Sequence, residues 1–447
     1  MTETTPKDGE GGLRAPTRHP LDWQRPAFYD EPLLLQELER VYHICHGCRR
    51  CVSLCHAFPT LFDLVDNSPT MEVDGVAKPD YMKVVDQCYV CDLCYQTKCP
   101  YVPPHEWNVD FPHLMLRAKA QQFKKGEVTG SRKLMTNTTA IGGLASIPVI
   151  TEMVNATNHN PTTRKLVDKV MHVHPQARLP VYHSDTARRR FEKTEAPTQP
   201  VAAGPTRGKV AVFVTCYGNY NMPGVLDDLV SVLRHNGVEV KLIEKEKCCG
   251  MPKLELGDLE SVKSYKEFNL PLLAQAVKDG WDLMAPIPSC VLMFRQEIPL
   301  MFPDDAEVQM VKRTIFDPFE YLMHRHKARL LKTEFKQVLG KLAYHAPCHQ
   351  RVQNIGPKTK ELLSLIPGTQ IEYIERCSGH NGTYGVRQET YELSMKILRP
   401  VASRAEKFQP DFVTSDCPMA AEHIAHGMGD KKEALHPISL VRRAYGI

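Results

Sequence analysis

Two stretches of the sequence share one pattern: GKVAVFVTC at residues 208–216 and GKLAYHAPC at residues 340–348. In each, a short apolar run lies between a glycine and a cysteine, which is typical of a buried parallel strand that leads into a loop. A repeat of this kind indicates that one supersecondary unit is used twice. The C-terminal half is therefore predicted to contain two pseudo-symmetric α/β units, residues 209–335 and residues 336–447.

The correspondence extends beyond these first strands. Apolar residues at helical spacing follow each cysteine, and second strands are predicted at residues 238–243 and 369–374. A third short strand is predicted in each unit before its last cysteine. In α/β units the loops at the carboxyl ends of the strands form the binding site, and every cysteine here lies at such an end. These cysteines are Cys216, Cys248, Cys249 and Cys290 in the first unit, and Cys348, Cys377 and Cys417 in the second.

Length and composition narrow the possible classes of protein. The 447 residues suffice for several domains, and 42% hydrophobic residues suffice to fill their cores. Lys and Arg number 56 and Asp and Glu number 52, so the net charge of +4 does not indicate a nucleic-acid partner. The fifteen cysteines are an odd number, which argues against a complete disulfide framework.

The N-terminal residues 1–30 are predicted to be a disordered arm. They are rich in Thr, Pro, Gly and charge and lack the apolar segment of an export signal. Without export, clustered thiols are expected in a reducing compartment, where they serve as metal ligands or redox centres. The expected location is the cytoplasm or the cytoplasmic face of a membrane.

Eight cysteines between residues 45 and 99 form two runs with ferredoxin-type spacing. Such runs indicate two [4Fe-4S] clusters in a mainly helical domain, predicted at residues 31–125, because three closely spaced thiolates bind three irons while a distant thiolate binds the fourth. In two-cluster ferredoxins the fourth cysteine of each run binds the other cluster. The first cluster is accordingly assigned to Cys45, Cys48, Cys51 and Cys99, and the second to Cys88, Cys91, Cys94 and Cys55.

A pair of zinc sites is the alternative for these runs, since CxxC pairs also suit tetrahedral zinc. The third cysteine in each run favours the iron-sulfur interpretation. Two departures from the usual pattern leave the ligand count intact: His56 stands in place of a proline after Cys55, and four residues rather than three precede Cys99. Residues 111–125 are predicted to form an amphipathic helix over the second cluster.

Residues 126–208 are predicted to be a basic connecting region that ends in a Pro- and Ala-rich linker from residue 195. Residues 117–193 contain 14 Lys or Arg and 5 Asp or Glu. A stretch of this kind suits contact with anionic headgroups or an acidic partner, and a solvated protein face is the alternative. The longest uncharged run, residues 134–151, contains glycine and proline and is not predicted to span a membrane.

Three short motifs carry a resemblance to a known family: EKCCG at 246–250, HAPCH at 345–349 and GTYG at 382–385. With these motifs and the two N-terminal runs, the chain resembles the CCG cysteine-rich domain proteins from about residue 40 to its end. These include a heterodisulfide reductase subunit, glycolate oxidase iron-sulfur subunits and lactate-utilisation proteins, and the likeness is strongest to the CCG-containing subunits of anaerobic glycerol-3-phosphate dehydrogenases.

The resemblance implies an iron-sulfur protein that takes electrons from a flavoprotein dehydrogenase and passes them to a membrane quinone or another carrier. It also implies that this chain does not bind the flavin, and that it contacts a membrane peripherally. The sequence contains no dinucleotide fingerprint after a strand and no P-loop, so NAD and ATP are not expected as ligands.

The resemblance further implies a third cluster in the first repeat. In heterodisulfide reductase such a repeat binds a non-cubane [4Fe-4S] cluster through a single cysteine, an adjacent pair and a closing CxxC. Here the closing motif is reduced to Cys290-x-x-Met293, and the four thiols that remain are Cys216, Cys248, Cys249 and Cys290. In the second repeat, Ser378 replaces one cysteine of the pair. For its three thiols, an iron-sulfur cluster completed by Ser378 or a histidine, a zinc site and a vestigial site all remain open.

Competing functions follow from these sites. The chain is interpreted as an electron-transfer subunit. The alternatives are a heterodisulfide-reductase-like catalytic subunit and an electron donor to a diiron peroxide-scavenging protein. A scaffold whose metal sites serve only stability is a further interpretation.

Overall fold

The structure is a computed structural model that describes residues 16–97, 99–191 and 200–447. The chain divides into two compact units, Met1–Glu127 and Val128–Ile447. Residues 1–15 of the expected arm and residues 195–199 of the expected linker lie outside the described residues. The division places nearly all of the basic connecting region in the same unit as the two repeats.

The described part of the N-terminal unit is built from helices and contains no strand. Asp30 caps the N-terminus of its longest helix, because its side chain accepts a hydrogen bond from the Leu33 N–H. The helices are α1 Glu31–Cys48, α2 Ala57–Asp66, α3 Tyr81–Gln87, α4 Leu93–Thr97 and α5 Phe111–Lys125, with 3-10 turns at Pro26–Tyr29, Val73–Gly75 and Lys78–Asp80. The predicted helix at residues 111–125 is confirmed in its bounds.

Aromatic side chains fill the core between these helices. Tyr42 contacts Tyr81 edge-on with ring centroids 5.1 Å apart, and Phe58 lies 4.7 Å from Phe111. Large buried rings supply much of the apolar area that a small helical unit requires. Because α1 and α4 also carry cysteines, this core holds the cysteine loops in place.

The arm is ordered from residue 16 onward, in contrast to the disorder expected through residue 30. Trp23 is only 2% exposed. Arg18 donates to Asp92 and to Asp110 and is itself buried. A guanidinium shared between two carboxylates holds the arm against the loop of the second cysteine run. Composition did not reveal this pairing, because the partners lie far away in the sequence.

The C-terminal unit begins with a layer of short helices: α6 Gly130–Met135, α7 Thr138–Ala145, α8 Pro148–His159, α9 Pro161–Met171 and α10 Ala187–Arg190. Helix α7 packs tightly on the rest of the unit, since a Cβ added at Gly142 would lie 2.2 Å from the Tyr220 ring. Across the described part of the chain, every helix is too short or too polar to cross a bilayer.

Two four-stranded parallel sheets with the same strand order form the centre of this unit. The first, ordered β2-β1-β3-β4, comprises β1 Lys209–Val212, β2 Glu239–Leu242, β3 Asp282–Met284 and β4 Ile315–Phe316. The second, ordered β6-β5-β7-β8, comprises β5 Lys341–His345, β6 Gln370–Ile374, β7 Phe412–Ser415 and β8 Glu433–Leu435. The predicted repeat is thus confirmed. The fourth strands, β4 and β8, were not predicted, because two or three residues are too few to show a period of two.

Helices connect the strands and cover both sheets. In the first repeat they are α11 Cys216–Tyr220, α12 Pro223–His235, α13 Met251–Leu256, α14 Leu259–Lys278, α15 Pro288–Leu292, α16 Ile298–Met301, α17 Ala306–Thr314 and α18 Pro318–Lys327, with a π-helical turn at Met293–Glu297. In the second they are α19 Cys348–Arg351, α20 Lys358–Leu363, α21 Tyr391–Phe408, α22 Pro418–Gly427 and α23 Pro437–Tyr445.

Successive residues of the central strands point to opposite faces and join different cores. Leu342 packs in a large core that also contains Val210 and Val441, so this core is shared by the two repeats. The next residue, Ala343, packs with Leu398 on the other face. In each sheet the chain crosses from one side of the first strand to the other, which creates a switch point at the carboxyl edge. The cysteines lie at these edges.

Candidate iron-sulfur centres

Four N-terminal cysteines line one pocket. Cys45 and Cys48 lie in the last turns of α1, Cys51 lies in the loop that follows, and Cys99 comes from the second run. The pocket encloses about 320 Å³, including its open mouth, and the rest of its wall is largely apolar. These are the four residues that the sequence assigns to the first cluster, and the structure places them around a single space.

The other four N-terminal cysteines gather around Cys94. Burial raises the pKa of the Cys94 thiol well above its ordinary value, and charges on neighbouring thiols raise it further. These neighbours are Cys91, Cys51, Cys88 and Cys55. Three of them belong to the predicted second cluster, and Cys51 shows that the two groups adjoin. The structure therefore brings Cys94 close to the other cysteines of the predicted second cluster and also to Cys51, and the division into two sets of four ligands stays a prediction.

The loop of the second run has an unusual backbone. Val90 and Asp92 have φ values of +56° and +61°, in the left-handed region that β-branched residues rarely adopt. This conformation directs the Val90 N–H at Cys88 Sγ, at a distance of 3.4 Å. Strain of this kind persists where a site is built around it.

The four thiols of the first CCG repeat form a connected series. Cys216 Sγ lies 3.9 Å from Cys248 Sγ. The hydrogen bond from Cys216, and a second from Cys249, hold the pKa of the Cys248 thiol well below its ordinary value. Cys249 in turn interacts with Cys290. All four predicted residues are therefore brought together, with one thiol electrostatically favoured as a thiolate.

A glycine turn allows two adjacent cysteines to face the same site. Adjacent residues of a strand point in opposite directions, but Gly250 has a φ of +103° and turns the chain immediately after the pair. The Gly250 N–H points back to Cys248 Sγ at 3.5 Å. Met293, which stands where a closing CxxC would have its second cysteine, packs against this turn, since its Cε would lie 3.3 Å from a Cβ added at Gly250.

Two polar side chains hold the CCG loop in position. Asn269 of α14 is 1% exposed, accepts a hydrogen bond from the Lys247 N–H at 2.9 Å and donates to the Cys248 carbonyl at 3.2 Å. Glu246 accepts from the Val214 N–H at 2.9 Å and pairs with Arg188. Burial raises the Glu246 pKa to about 7, although Arg188 opposes the shift. Sequence analysis did not identify Asn269, because a lone helical asparagine gives no signal.

The connecting region contributes directly to this site. Thr139, on α7, accepts a hydrogen bond from the Cys248 N–H at 2.8 Å. The hydroxyl of Thr138 lies beside both the Cys216 and Cys248 thiols. These contacts join residues about 80 to 110 positions apart in the chain, and they explain why the layer of short helices belongs to the same unit as the repeats.

The cysteine after the first strand is held by a strained residue. Thr215 has φ +71° and ψ 152°, a conformation that a β-branched residue rarely adopts. Its hydroxyl accepts a hydrogen bond from the Gly218 N–H at 3.0 Å, which stabilises the turn into α11. Cys216 is the first residue of that helix, so the strain fixes the start of the thiol series.

The second repeat has the same frame, meaning the same strand ends and the same glycine turn, but carries different side chains there. Cys348 follows β5, Cys417 follows β7, and the Gly379 N–H points to Cys377 Sγ at 3.3 Å, as the Gly250 N–H points to Cys248. Ser378 occupies the position of Cys249 and is buried. Burial raises the pKa of Cys417 to about 11. The structure thus places each of the three predicted cysteines at the carboxyl edge of the second sheet.

Histidines surround this second edge. Burial lowers the pKa of His349 and His380 to about 4, so both rings are neutral near pH 7. His349 Nδ1 lies 2.8 Å from the hydroxyl of Ser289, the residue before Cys290. Its Nε2 is buried and has no hydrogen-bond partner among the described residues. The two edges are therefore linked through Ser289 and His349.

The donor sets in the N-terminal unit and the first repeat suit iron-sulfur clusters. In each, soft thiol ligands surround a common space or follow one another within hydrogen-bonding range, as cluster ligation requires. Among the residues that the structure describes, no three or more His, Cys, Asp or Glu side chains have the compact arrangement that a single metal ion requires.

Comparison with known proteins identifies the repeats. A family model for the cysteine-rich domain, CCG, matches residues 210–295 and again residues 342–421. The chain contains two CCG cysteine-rich domains. Both matches begin in the first strand of a repeat and extend past its last cysteine. The duplication inferred from the sequence is therefore a duplication of this domain.

The chain is also similar in sequence to known proteins, in part over stretches longer than the two CCG domains. The chain is 28% identical over 320 residues to a subunit of the anaerobic glycerol-3-phosphate dehydrogenase of Escherichia coli, covering 70% of this chain and 77% of the relative. It is 27% identical over 247 residues to a subunit of the fumarate reductase (CoM/CoB) of Methanothermobacter marburgensis, covering 53% of this chain and 46% of the relative. It is 29% identical over 196 residues to lactate utilization protein A of an Exiguobacterium species, covering 42% of this chain and 77% of the relative.

Proposed function

We propose that this protein is an iron-sulfur electron-transfer subunit that accepts electrons from a flavoprotein dehydrogenase and delivers them to a membrane quinone or another carrier. The observation that carries the proposal is the grouping of the cysteines, four around one pocket and four in one connected series. The relatives, which include subunits of a glycerol-3-phosphate dehydrogenase and of a fumarate reductase, support a partner of the dehydrogenase type.

Bound [4Fe-4S] clusters would accept and release single electrons. The residues of this chain hold the thiolates, exclude water and set the local charge. Cys248 and Cys249 are 1% and 3% exposed, so solvent has little access to the first CCG site. Asn269 and Thr139 fix the backbone of Cys248, which restricts movement of the loop between oxidation states.

An apolar surface on the layer of short helices supports peripheral membrane contact. Of the fifteen large hydrophobic side chains that are exposed among the described residues, seven lie within residues 134–181. Four of them lie at and around the junction of α7 and α8 and are 46% to 70% exposed: Leu144 of α7, Ile147 between the helices, and Val149 and Met153 of α8. Exposed apolar clusters of this kind mark interaction surfaces. The exposed lysines Lys165 and Lys169 of α9 complement anionic headgroups.

The position of this surface supports a quinone as the acceptor. Helix α7 places Thr138 beside the thiols of the first CCG site and Thr139 on the Cys248 N–H, while Leu144 of the same helix is 59% exposed. One helix therefore connects the thiol site to the proposed bilayer contact. In the basic run Arg188 to Arg190, Arg188 is paired with Glu246, and Arg190 is paired with Asp185 and Asp227.

Iron, zinc and acid-labile sulfide content, with EPR of the reduced full-length protein, test the electron-transfer role. We expect about eight irons from the N-terminal unit and about four from the first repeat, with matching sulfide and signals of reduced [4Fe-4S] clusters. One or two zinc ions without sulfide would exclude the proposal.

Liposome flotation tests the membrane contact. We expect the protein to float with anionic vesicles at low salt, and the double variant Val149→Ser, Met153→Ser to bind about thirtyfold more weakly, since each of the two exposed side chains contributes on the order of 1 kcal/mol when buried in lipid. Val338→Ser is the matched control, because Val338 is 69% exposed and Val149 is 70% exposed. Equal flotation of all three proteins would contradict the assignment of this surface.

A further inference from the structure

The segment of Cys290 lacks the second thiol of a closing CxxC motif, because Met293 stands in its place. Helix α15, which carries Cys290, ends at Leu292, and the π-helical turn Met293–Glu297 follows at once. Turns of this kind are rare in proteins and frequent at functional sites. One thiol rather than two therefore connects this segment to the first CCG site, and the position of Cys290 depends on the residues that pack against α15.

The second repeat contacts this segment from α19 and the residues after it. The hydroxyl of Ser289 lies 2.8 Å from His349 Nδ1. The side-chain amide of Gln353 donates to the Pro288 carbonyl at 3.1 Å and to the His349 carbonyl at 2.8 Å, so one amide group bridges the two repeats. Pro288 and Ser289 are the two residues immediately before Cys290. The second repeat therefore reaches the first site at the segment of its fourth thiol.

The contact between Ser289 and His349 fixes both side chains. His349 is 5% exposed, so water has little access to its ring. Its Nε2 is buried and has no hydrogen-bond partner within the described part of the chain, which leaves the Ser289 hydroxyl as the group that orients the imidazole. Hydrogen bonds are directional, so an oriented ring holds the serine in turn. The residue before Cys290 is thus anchored to a buried group of the second repeat.

The opposite end of the thiol series has a similar contact. Cys216 begins the series, and Tyr217 follows it in α11. The Tyr217 hydroxyl donates to a carboxylate oxygen of Glu422, in α22 of the second repeat, at 3.3 Å. Residues next to both end thiols therefore contact the second repeat. The inner thiols, Cys248 and Cys249, lie instead in a loop that α7 and α14 hold in position.

We propose that the second repeat is a clamp for the first CCG site, in which His349 and Glu422 are positioning residues for Cys290 and Cys216. The inference rests on the proposed function, because it requires that the first site binds an iron-sulfur cluster. Hydrogen-bonded partners of this kind orient the ligands of a metal site, and their removal weakens binding of the metal. The clamp gives the second repeat a role that does not depend on a cluster of its own.

Iron release to a ferrous-iron chelator, with EPR of the reduced full-length protein, tests the proposal. Cys249→Ser identifies the signal of the first site, because this variant is expected to lack that cluster. We expect Ser289→Ala to release about four irons about tenfold faster and to alter the line shape of that signal, while the N-terminal irons are released as in wild type. Ser289→Thr retains the hydroxyl and should restore both properties. Ser264→Ala, at an exposed position of the same repeat, is the matched control.

A double-mutant cycle tests whether the effect of Ser289 passes through His349. His349→Leu, alone or combined with Ser289→Ala, should release iron at about the rate of Ser289→Ala, because each change removes the same hydrogen bond. Tyr217→Phe should have a smaller effect, since its hydrogen bond to Glu422 is longer.

Additive effects in the cycle, or wild-type release and line shape in Ser289→Ala, would overturn the clamp. Wild-type behaviour of Tyr217→Phe would overturn the role of Glu422. Equal iron and sulfide contents in wild type and Cys249→Ser would instead refute a cluster in the first repeat, on which the proposed function depends. The two failures are therefore distinguishable.

Discussion

In each CCG repeat a buried side chain connects the end of the first strand to the cysteine loop, but the two side chains differ in chemistry. In the first, the carboxylate of Glu246 accepts from the Val214 N–H and so connects the end of β1 to the cysteine pair. In the second, His345 makes the corresponding link, with its Nε2 2.9 Å from the Arg376 carbonyl oxygen. Burial lowers the pKa of His345 to about 4, so the ring is neutral. A carboxyl group whose pKa is raised to about 7 therefore lies beside the four thiols, and a neutral imidazole lies beside the three.

The comparison shows that the frame and the site vary independently. Strand order, the glycine turn and the N–H directed at a sulfur are the same in both repeats. In the first repeat four thiols form a series, whereas the second repeat has three cysteines at the corresponding edge. The difference at the turn is one side chain, Cys249 against Ser378. Packing of the strands and helices maintains the fold, whereas a few side chains at the carboxyl edge decide which ligand is bound.

The largest effect is expected when the first repeat is made to resemble the second. Cys249→Ser breaks the thiol series between Cys248 and Cys290. We expect the full-length protein to lose about four irons and the matching sulfide, while the N-terminal unit retains about eight. Chemical analysis measures both. Unchanged iron content would show that Cys249 is not a ligand.

The reverse substitution tests whether the second frame still accepts a cluster. Ser378→Cys restores an adjacent pair after Gln370–Ile374, beside Cys377. We expect a gain of up to about four irons per chain after anaerobic reconstitution, because the turn geometry matches that of the first repeat. Ser364→Cys, at an exposed position of the same repeat, is the control for nonspecific iron. No gain over this control would show that the second edge is vestigial.

The glycine turns are expected to differ in their tolerance of a side chain. Both have positive φ, so alanine costs about 1–3 kcal/mol at either position. At Gly379 a Cβ would also lie 2.4 Å from the Ser394 carbonyl oxygen, whereas at Gly250 it would meet Met293 at 3.3 Å. Overpacking against backbone adds about 1–3 kcal/mol, so Gly379→Ala should lower the Tm more than Gly250→Ala.

Differential scanning calorimetry of both glycine variants measures this order. Gly237→Ala is a suitable reference, because Gly237 also has a positive φ, +69°, but open space around its Cβ position. A larger decrease in Tm for Gly250→Ala than for Gly379→Ala would contradict the steric argument.

The smallest effect concerns the aspartates that support the first strand of each sheet. Asp282 accepts from the Arg207 N–H at 2.6 Å and is fully buried, whereas Asp411 accepts from the Lys341 N–H at 2.8 Å and is exposed. Burial raises the Asp282 pKa to about 6, with Arg207 acting against the shift. Because the folded-state pKa exceeds the unfolded one, Asp282 stabilises the protein at low pH and this contribution is lost as pH rises through about 6.

We expect the free energy of unfolding of wild type to fall by about 1–3 kcal/mol relative to Asp282→Asn between about pH 4 and pH 6. Urea titrations at several pH values give the free energy of unfolding, and its slope against pH is then compared between wild type and Asp282→Asn. Asp411→Asn is the matched control and should leave the slope unchanged. Parallel pH profiles for wild type and Asp282→Asn would show that Asp282 does not titrate in this range.

Local patterns account for what could be predicted. The apolar runs before Cys216 and Cys348 specify buried parallel strands, and the cysteine spacing at residues 45–99 predicts two groups of four ligands, because both signals repeat within a few residues. The fourth strands and the order of the arm from residue 16 could not be predicted. Their signals are either too short or depend on partners far away in the sequence, as Arg18 depends on Asp92 and Asp110.

The sequence by itself determined the repeat, the positions of the fifteen cysteines and the replacement of one expected thiol by Ser378. Only the tertiary structure decided what surrounds those thiols. It placed Asn269 and Thr139 on the backbone of Cys248 and joined Ser289 to His349. The physical reason is that covalent spacing fixes which sulfurs lie near one another along the chain. The polar groups that position them are brought in by packing of distant helices.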